Sequence, residues 1–266
     1  MTQENPKPQA VTARFQDQVV LITGGSGGIG IALGKRFARE GAQVVLLEMD
    51  ERTAGNGVDA LARAGLKAIG VAADVANQDS VDAAFDSAAQ RCGPVDVLIA
   101  AAGIRPVSDM LHHSASDWDR CVAVNLTGVF TCARAAARHM LPRKRGSIVN
   151  IASVNGVRAV VGMTAYNATK AGVISLTQSL ACEFAPNNVR VNAILPAQIE
   201  TPMIEDQVGQ ERSRREERIP LGRYGRPDEV AAAACFLASD DASFITGHGL
   251  AVDGGYLAFG FRPAAT

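Results

Sequence analysis

The sequence lacks the cysteine pattern of a metal centre or a disulfide scaffold. Its five cysteines, at positions 92, 121, 132, 182 and 235, are odd in number and form neither a C-x-x-C pair nor another metal-ligand spacing. We therefore expect free thiols, no bound metal and a reducing, cytoplasmic compartment.

Long hydrophobic runs and an excess of one charge are also missing. No stretch of about 18 apolar residues occurs, so we expect no membrane span. The N-terminal segment 1–15 has no apolar core of a secretory signal. Lys and Arg total 26 against 27 Asp and Glu, a net charge of −1. Nucleic-acid-binding proteins normally carry a basic excess, so we expect no nucleic-acid partner and no membrane partner.

The chain does have the length and apolar content for a sizeable core, since 47% of its 266 residues are hydrophobic. Strand-like and helix-like segments alternate along it. The strand candidates are 18–23, 43–48, 67–73, 95–101, 146–152, 189–195 and 250–252. The helix candidates are a stretch ending near residue 40, then 51–64, 78–92, 116–140 and 165–184. Continuous apolar strands separated by helices predict a parallel sheet covered on both faces.

We therefore predict one α/β domain over residues 15–266, a Rossmann-type doubly wound parallel sheet of about seven strands with helices on both faces. Two prolines and several polar residues in segment 1–14 predict a mobile N-terminal tail. The largest irregular stretch, about 196–226, is rich in charge and predicts a substrate lid at about 197–226.

A glycine-rich turn lies between the first strand and the first helix. It reads Thr23-Gly24-Gly25-Ser26-Gly27-Gly28-Ile29-Gly30. Such a turn lets backbone N–H groups approach a pyrophosphate at a helix N-terminus, although glycine-rich turns also serve plain chain reversal. Glu48 ends the next strand candidate, where an acid commonly accepts hydrogen bonds from the adenosine ribose. The context predicts a bound dinucleotide.

Four polar residues have the spacing of an acid–base site. Tyr166 and Lys170 are four residues apart at the start of a helix candidate, so they share one helix face. A nearby ammonium favours the phenolate form of a tyrosine. Ser153 follows a strand candidate, at the sheet end where ligands bind. Asn125 stands inside a helical pattern, where asparagine is unfavourable.

Taken in order, these motifs resemble the short-chain dehydrogenase/reductase family over residues 17–256. The match also includes Asp74-Val75, Ala102-Gly103, the segment from Pro196 to Thr201, and Asp253-Gly254-Gly255. The resemblance implies that Tyr166 is the acid/base, that Ser153 polarises the substrate oxygen, and that Lys170 binds the nicotinamide ribose and lowers the Tyr166 pKa. Asn125 would hold a water of a proton relay.

The resemblance also implies the cofactor contacts and the assembly. The cofactor-binding residues would be Gly24, Ser26, Gly27, Gly28, Ile29, Gly30, Glu48, Met49, Asp74, Val75, Ala101, Ala102, Gly103, Tyr166, Lys170, Pro196, Ile199 and Thr201. Glu48 followed by Met49, with no basic residue, favours NAD over NADP. Similar enzymes are homotetramers that pair helices corresponding to 116–140 and 165–184.

Two positions depart from the family pattern. Ala100-Ala101 replaces the Asn-Asn that usually follows the fourth strand, which removes amides that brace neighbouring strands. Pro196-Ala197 replaces the usual Pro-Gly, which predicts a stiffer lid hinge because alanine has less backbone freedom than glycine.

The substrate pocket is the least determined part. By resemblance, Arg105, Asn155, Arg158 and the lid segment that runs from Met203 to Arg218 would line it. Arg105 and Arg158 would either bind an anionic group or be solvated loop residues. The mixed charges over 205–218 read as a solvated helix face, and His112 and His113 as surface residues.

Three functions stay open at this point. The first is an NAD-linked dehydrogenase of secondary alcohols, acting on a polyol, sugar or hydroxy ring compound as its small-molecule substrate. The second is a 3-oxoacyl-thioester reductase of fatty-acid type, and the third is an inactive dinucleotide-binding protein.

Overall fold

A computed structural model describes residues 13–205 and 208–260 of the chain. Residues 1–12 of the predicted tail, Asp206 and Gln207 of the predicted lid, and the C-terminal residues 261–266 lie outside the described part.

Seven parallel strands form a single sheet, as predicted. They are β1 (Val19–Thr23), β2 (Gln43–Glu48), β3 (Ala68–Ala72), β4 (Val97–Ala100), β5 (Gly146–Ile151), β6 (Val189–Pro196) and β7 (Gly249–Val252). Their order across the sheet is β3-β2-β1-β4-β5-β6-β7. Every residue of β1 and β4 is buried, because helices cover both faces of the sheet.

Within the described ranges, eight α-helices complete the fold. They are α1 (Gly28–Arg39), α2 (Glu51–Ala62), α3 (Gln78–Cys92), α4 (Ala115–Val122), α5 (Gly128–Met140), α6 (Thr164–Phe184), α7 (Gly209–Glu216) and α8 (Pro227–Ala238). One core joins α1, α2 and α8 to the sheet. A second core joins α3, α5 and α6 to the opposite face.

The strand order reverses between β1 and β4. The chain adds β2 and β3 on one side of β1, and it then adds β4 and the later strands on the other side. In such sheets the crevice for a ligand opens at the carboxyl ends of the strands at the reversal. The glycine turn after β1 and the loop after β4 therefore flank the position where a dinucleotide binds in this architecture.

The predicted helix over residues 116–140 is wrong as one continuous α-helix. It divides into α4 and α5, joined by a π-helical turn at Ala123–Thr127. Turns of this kind recur at functional sites, and Asn125 lies in this one. Helix α8 and the short α7 in the predicted lid region were not predicted from the sequence.

Candidate active site

Steric constraints shape the glycine turn. Gly24 has a φ of +66°, which favours glycine, and a Cβ added to Gly30 would lie 2.0 Å from the carbonyl oxygen of Gly24. Gly27 caps α1 without a side-chain hydrogen bond, and the first turn of α1 contains no acid. By contrast, Asp50 caps α2 with its carboxylate. The N-terminus of α1 is therefore left open to an anionic group such as a pyrophosphate.

Glu48 lies directly against this turn. Its Oε1 accepts the backbone N–H of Ser26 at 2.7 Å and also the Ser26 hydroxyl. Met49 follows and is half exposed. The end of β2 thus presents a carboxylate and an apolar side chain beside the first helix.

A cleft of about 490 Å³ runs along the turn. Among its lining residues are most of the predicted cofactor contacts: Gly24, Ser26, Gly27, Gly28, Ile29, Gly30, Glu48, Met49, Val75, Ala101, Ala102, Gly103 and Thr201. Asp74 is not among the lining residues. Its carboxylate accepts the backbone N–H of Ala76 and pairs with Arg120 at 3.4 Å.

The backbone after β4 is braced without the amides that the family usually has there. The hydroxyl oxygen of Thr23 accepts the backbone N–H groups of both Ala101 and Ala102, each at 3.0 Å. Thr23 is itself buried. This pair of hydrogen bonds ties the loop after β4 to the end of β1 despite the Ala100-Ala101 substitution.

Tyr166 and Lys170 lie on one face of the first turns of α6, as their spacing predicts. The Lys170 Nζ lies 5.5 Å from the centre of the Tyr166 ring and donates to the carbonyl oxygen of Ile151 at 2.7 Å. Burial lowers the pKa of Lys170 to about 8. An amine with a pKa near neutrality is suited to exchanging protons.

The pKa of Tyr166 does not follow the expectation that Lys170 lowers it. In the protein alone, burial raises the pKa of Tyr166 above its usual value, while a hydrogen bond to Ser153 and the positive charge of Arg105 act in the opposite direction. Burial disfavours the phenolate because the charged form loses its hydration. The neighbouring hydroxyl and guanidinium partly offset that cost.

Asn125 holds the loop after β4 through its side-chain amide. Its Oδ1 accepts the backbone N–H of Ile104 at 2.8 Å, and its Nδ2 donates to the Ile104 carbonyl oxygen at 2.9 Å. Nδ2 also lies 3.4 Å from the hydroxyl of Thr169, the residue before Lys170. The fully buried amide thus links the loop to the catalytic helix.

A second cavity, of about 120 Å³, contains the predicted acid–base residues. Its lining includes Ser153, Tyr166 and Lys170 together with the predicted Arg105, Asn155, Met203, Pro196, Ile199 and Thr201. Ser153 is positioned by accepting the backbone N–H of Asn155 at 3.1 Å. All three acid–base side chains line this one cavity.

The structure places two arginines differently from the expectation based on the sequence. Arg158 does not line the pocket, because its side chain is exposed and donates to the carbonyl oxygen of Phe259 at 3.3 Å. Arg215, read from the sequence as part of a solvated helix face, does line it. Only the three-dimensional position of α7 reveals that assignment, since charge pattern alone does not separate Arg215 from its neighbours.

The adjacent histidines also differ from each other. His112 is exposed and bonds to Asp109, as expected of a surface residue. His113 turns inward, and both of its ring nitrogens are buried, which corrects the surface assignment.

The two cavities meet and together fit a dinucleotide. They share Ile29, Ala101, Gly103, Thr201 and Met203. A Cβ on Gly28 would lie 2.8 Å from the Thr201 side chain, so only glycine leaves this approach open. The volume of the longer cleft falls in the range of about 300–1,000 Å³ typical of ligand sites. The turn and Glu48 line the longer cleft and Lys170 lines the smaller cavity, so these residues could hold such a cofactor.

The described residues contain no group of three His, Cys, Asp or Glu side chains that could hold a metal ion. None of the helices in this part of the chain is long and apolar enough to cross a membrane.

Comparison with known proteins agrees with this geometry. The family model described as enoyl-(acyl carrier protein) reductase matches residues 24–257. The chain is 42% identical to cis-4-hydroxycyclohexanecarboxylate dehydrogenase of Sinomonas cyclohexanicum over 92% of its own length and 98% of that protein. The chain belongs to the short-chain dehydrogenase/reductase family.

Other members of the short-chain dehydrogenase/reductase family show the same likeness. A 3-oxoacyl-[acyl-carrier-protein] reductase of Thermotoga maritima is 39% identical over 91% of this chain and 98% of that protein. The crystal structure of levodione reductase superposes with a TM-score of 0.86 at 34% identity, covering 92% of this chain and 99% of that one. This short-chain dehydrogenase/reductase is thus an enzyme that interconverts alcohols and carbonyl compounds with a nicotinamide dinucleotide.

Proposed function

We propose that the enzyme is an NAD-dependent dehydrogenase of secondary alcohols, acting on a polyol, sugar or hydroxy ring compound. The observation that carries this proposal is the meeting of Ser153, Tyr166 and Lys170 in one small cavity that opens into the glycine-turn cleft. The domain spans residues 15–266, with residues 197–226 as the cover of the substrate.

In the oxidation direction, the Tyr166 phenolate accepts the proton of the substrate hydroxyl. Ser153 donates a hydrogen bond to the same oxygen and holds it near Tyr166, consistent with the hydrogen bond between the two side chains. When bound, the nicotinamide supplies the hydride acceptor for oxidation and the hydride donor for reduction. The proton taken up by Tyr166 must then leave a buried site.

Lys170 and Asn125 provide the exit for that proton. Lys170, with its pKa lowered by burial to about 8, binds the ribose hydroxyls and passes the proton on. A Cβ on Gly103 would lie 3.4 Å from the Asn125 Oδ1 and 3.7 Å from the Lys170 Nζ, so both polar groups face the same backbone. A water held by Asn125 connects Lys170 to solvent.

Glu48 supports NAD as the cofactor. With Oε1 bonded to Ser26, its second carboxylate oxygen would accept hydrogen bonds from the adenosine ribose hydroxyls of a bound cofactor. The 2′-phosphate of NADP would meet this negative charge, and Met49 offers no cation to offset it.

The size of the pocket and two relatives support a small ring or polyol substrate. A cavity of about 120 Å³ lies below the usual ~300–1,000 Å³ of ligand sites. Two compared proteins are named for a hydroxycyclohexanecarboxylate and for levodione. The named 3-oxoacyl reductase relative makes a thioester reductase the second candidate. Gly27 and Met49 argue against it, since the NADPH-using members usually carry basic residues at these positions. The intact set of acid–base residues argues against an inactive protein.

We propose a homotetramer in the cytoplasm. Phe130 on α5 is 43% exposed, and Ala171, Gly172 and Ile174 present small or apolar side chains on α6. Leu180, also on α6, packs into the core of the domain and does not contribute to this surface. The five free cysteines support a reducing compartment. Light scattering that gives a monomer at micromolar concentration would contradict the tetramer.

A cofactor-reduction assay tests the proposal. NAD and NADP are each offered with a panel of ring alcohols, vicinal diols and sugars, and with a 3-hydroxyacyl thioester. We expect NADH formation with ring alcohols or diols. Turnover confined to the thioester with NADP would establish the second candidate, and binding of NAD without turnover of any panel member would support the inactive protein.

A further inference from the structure

An asparagine amide lies beside the acid–base residues of the substrate pocket. Asn155 lines the cavity that contains Ser153 and Tyr166, and only 8% of the residue is exposed. Its backbone N–H donates to the hydroxyl oxygen of Ser153 at 3.1 Å. The Asn155 side chain is therefore enclosed by protein and borders the space next to the acid–base hydroxyls.

The orientation of this amide is fixed by its neighbours. The Asn155 Nδ2 donates to the Oδ1 of Asn167 at 3.2 Å and lies 3.5 Å from the sulfur of Met163. The Asn167 Nδ2 donates in turn to the backbone carbonyl oxygen of Val160 at 2.8 Å. Because a carbonyl oxygen can only accept, neither amide can be turned over without losing a hydrogen bond. The Oδ1 of Asn155 is therefore the amide atom left outside this network.

That oxygen is open to a ligand. The Asn155 Oδ1 accepts no hydrogen bond from the residues that the structure describes. It is not sealed from solvent either, in contrast to the Oδ1 of Asn150, which is both buried and unpaired. An enclosed acceptor that borders a cavity takes its hydrogen bond from water or from a bound molecule. The oxygen is thus available to a donor group of the substrate.

The charge of the pocket indicates which donor fits. Arg105, Lys170 and Arg215 line the same cavity, and its described lining residues include no aspartate or glutamate. An ammonium group of a substrate would meet like charges there, which disfavours its binding. A hydroxyl group is a neutral donor. Of these two donors, the hydroxyl therefore fits the position beside the Asn155 Oδ1.

We propose that the Oδ1 of Asn155 accepts a hydrogen bond from a second hydroxyl group of the substrate, so that the preferred substrates are diols rather than simple alcohols. This inference rests on the proposed function, because it concerns the same pocket. Asn155 stands two positions after Ser153, and its partner Asn167 directly follows Tyr166. The second hydroxyl therefore lies on a carbon near the carbinol, as in a vicinal diol. A substrate without it leaves the acceptor unpaired, which lowers kcat/KM.

The first test compares cyclohexane-1,2-diol with 2-methylcyclohexanol, in which a methyl group of similar size replaces the second hydroxyl. Each is assayed with the cofactor that the enzyme uses. We expect kcat/KM to favour the diol by about tenfold or more, and this ratio to fall about tenfold in Asn155→Leu and in Asn155→Ala. Asn155→Asp retains an acceptor oxygen and should keep most of the preference. Gln90→Leu, which removes an exposed amide on α3 outside the pocket, should leave the ratio unchanged.

The orienting contact has its own variant. Asn167→Leu leaves the Asn155 side chain in place but removes the acceptor that fixes its amide. The preference for the diol should fall in this variant, although by less than in Asn155→Leu. An undiminished preference in Asn167→Leu would contradict the fixed orientation from which the role of Asn155 is inferred.

The last test does not depend on turnover. Calorimetry measures the binding of both alcohols to the protein saturated with NADH or NADPH, because a reduced cofactor cannot take hydride from them. Tighter binding of the diol that is lost in Asn155→Leu supports the acceptor role even if neither alcohol is oxidised, in which case the proposed function fails alone. Equal kcat/KM and equal binding of the two alcohols, or no binding of the diol, would overturn the role of Asn155 while an active enzyme upholds the proposed function.

Discussion

The carboxylate of Glu48 accepts both the backbone N–H of Ser26, at 2.7 Å, and its hydroxyl. This relationship joins the end of β2 to the glycine turn and fixes a negative charge at the entrance of the dinucleotide cleft. Arg36 on α1 is engaged with Glu40, so it does not offset that charge.

Cofactor choice follows from this pair. We expect kcat/KM to be higher for NAD than for NADP by at least about a hundredfold, because like charges in contact cost several kcal/mol and each ~1.4 kcal/mol is tenfold. The double variant Glu48→Ala with Met49→Arg should reduce or reverse the preference. Equal kcat/KM of the unmodified enzyme for NAD and NADP would show that Glu48 does not contact the adenosine ribose.

The glycine turn offers a matched pair of substitutions. Gly30→Ala places a Cβ 2.0 Å from the Gly24 carbonyl oxygen, whereas Gly27→Ala places one 3.4 Å from the same atom. We expect Gly30→Ala to lose about 1–3 kcal/mol of stability through overpacking and to weaken NAD binding. Gly27→Ala should fold nearly as well as the unmodified protein. Denaturant unfolding distinguishes the two, and similar losses of stability in both variants would contradict the turn geometry.

Lys170 makes the cofactor-free protein less stable at neutral pH. Its pKa is lowered by burial to about 8, so between that value and the ordinary lysine value the unfolded chain binds more protons and stability rises with pH. Lys170→Met keeps the apolar stem and removes the buried charge. At pH 7 we expect it to raise the free energy of unfolding by about 1–3 kcal/mol, after allowing for the lost bond to Ile151.

The gain from Lys170→Met should shrink as the pH rises toward the ordinary pKa of lysine, since the native lysine is then already neutral. Urea unfolding at several pH values measures this, and Lys35→Met, on the surface of α1, serves as the control. If Lys170→Met is less stable than the unmodified protein at pH 7, then the buried Lys170 ammonium does not lower the free energy of unfolding, which would contradict this prediction.

The pH dependence of alcohol oxidation should report Tyr166. The rate is expected to rise with pH until the phenolate forms. The positive charge of Arg105 partly offsets the burial that raises the pKa of Tyr166. Arg105→Met should therefore move the ascending limb of kcat/KM to higher pH. Arg105→Lys, which keeps the charge, should not. A profile that is flat from about pH 6 to 10 would contradict the role of Tyr166 as base.

The fold was predictable because its signals are local and repeated. The apolar runs that became β1, β2 and β5 and the helical spacing of Tyr166 and Lys170 needed no tertiary information. The π-helical turn around Asn125 was not predictable in the same way. It depends on the amide side chain bonding both backbone groups of Ile104, which lies on another element.

The residues that line the substrate pocket could not be predicted in the same way, because their positions depend on long-range packing. The sequence placed Arg158 in the pocket by resemblance, and it placed Arg215 among the mixed charges of a solvated helix face. Only the anchoring of α7 by Arg212 to Glu200 brings Arg215 to the pocket, and Arg158 turns instead toward Phe259. Likewise, Thr23 carries no sequence signal for its bonds to Ala101 and Ala102, because its partners lie on the loop after β4, a neighbouring strand.

The central claim is that Tyr166 performs the proton transfer of an NAD-linked alcohol oxidation, and the most direct measurement is the turnover of Tyr166→Phe beside its affinity for NAD. The variant loses one hydroxyl while the ring still packs beside Lys170. We expect kcat to fall by about 10²–10⁴-fold, with NAD binding largely retained. A turnover rate within about threefold of the unmodified enzyme would contradict the account, because loss of a general acid–base costs far more than that.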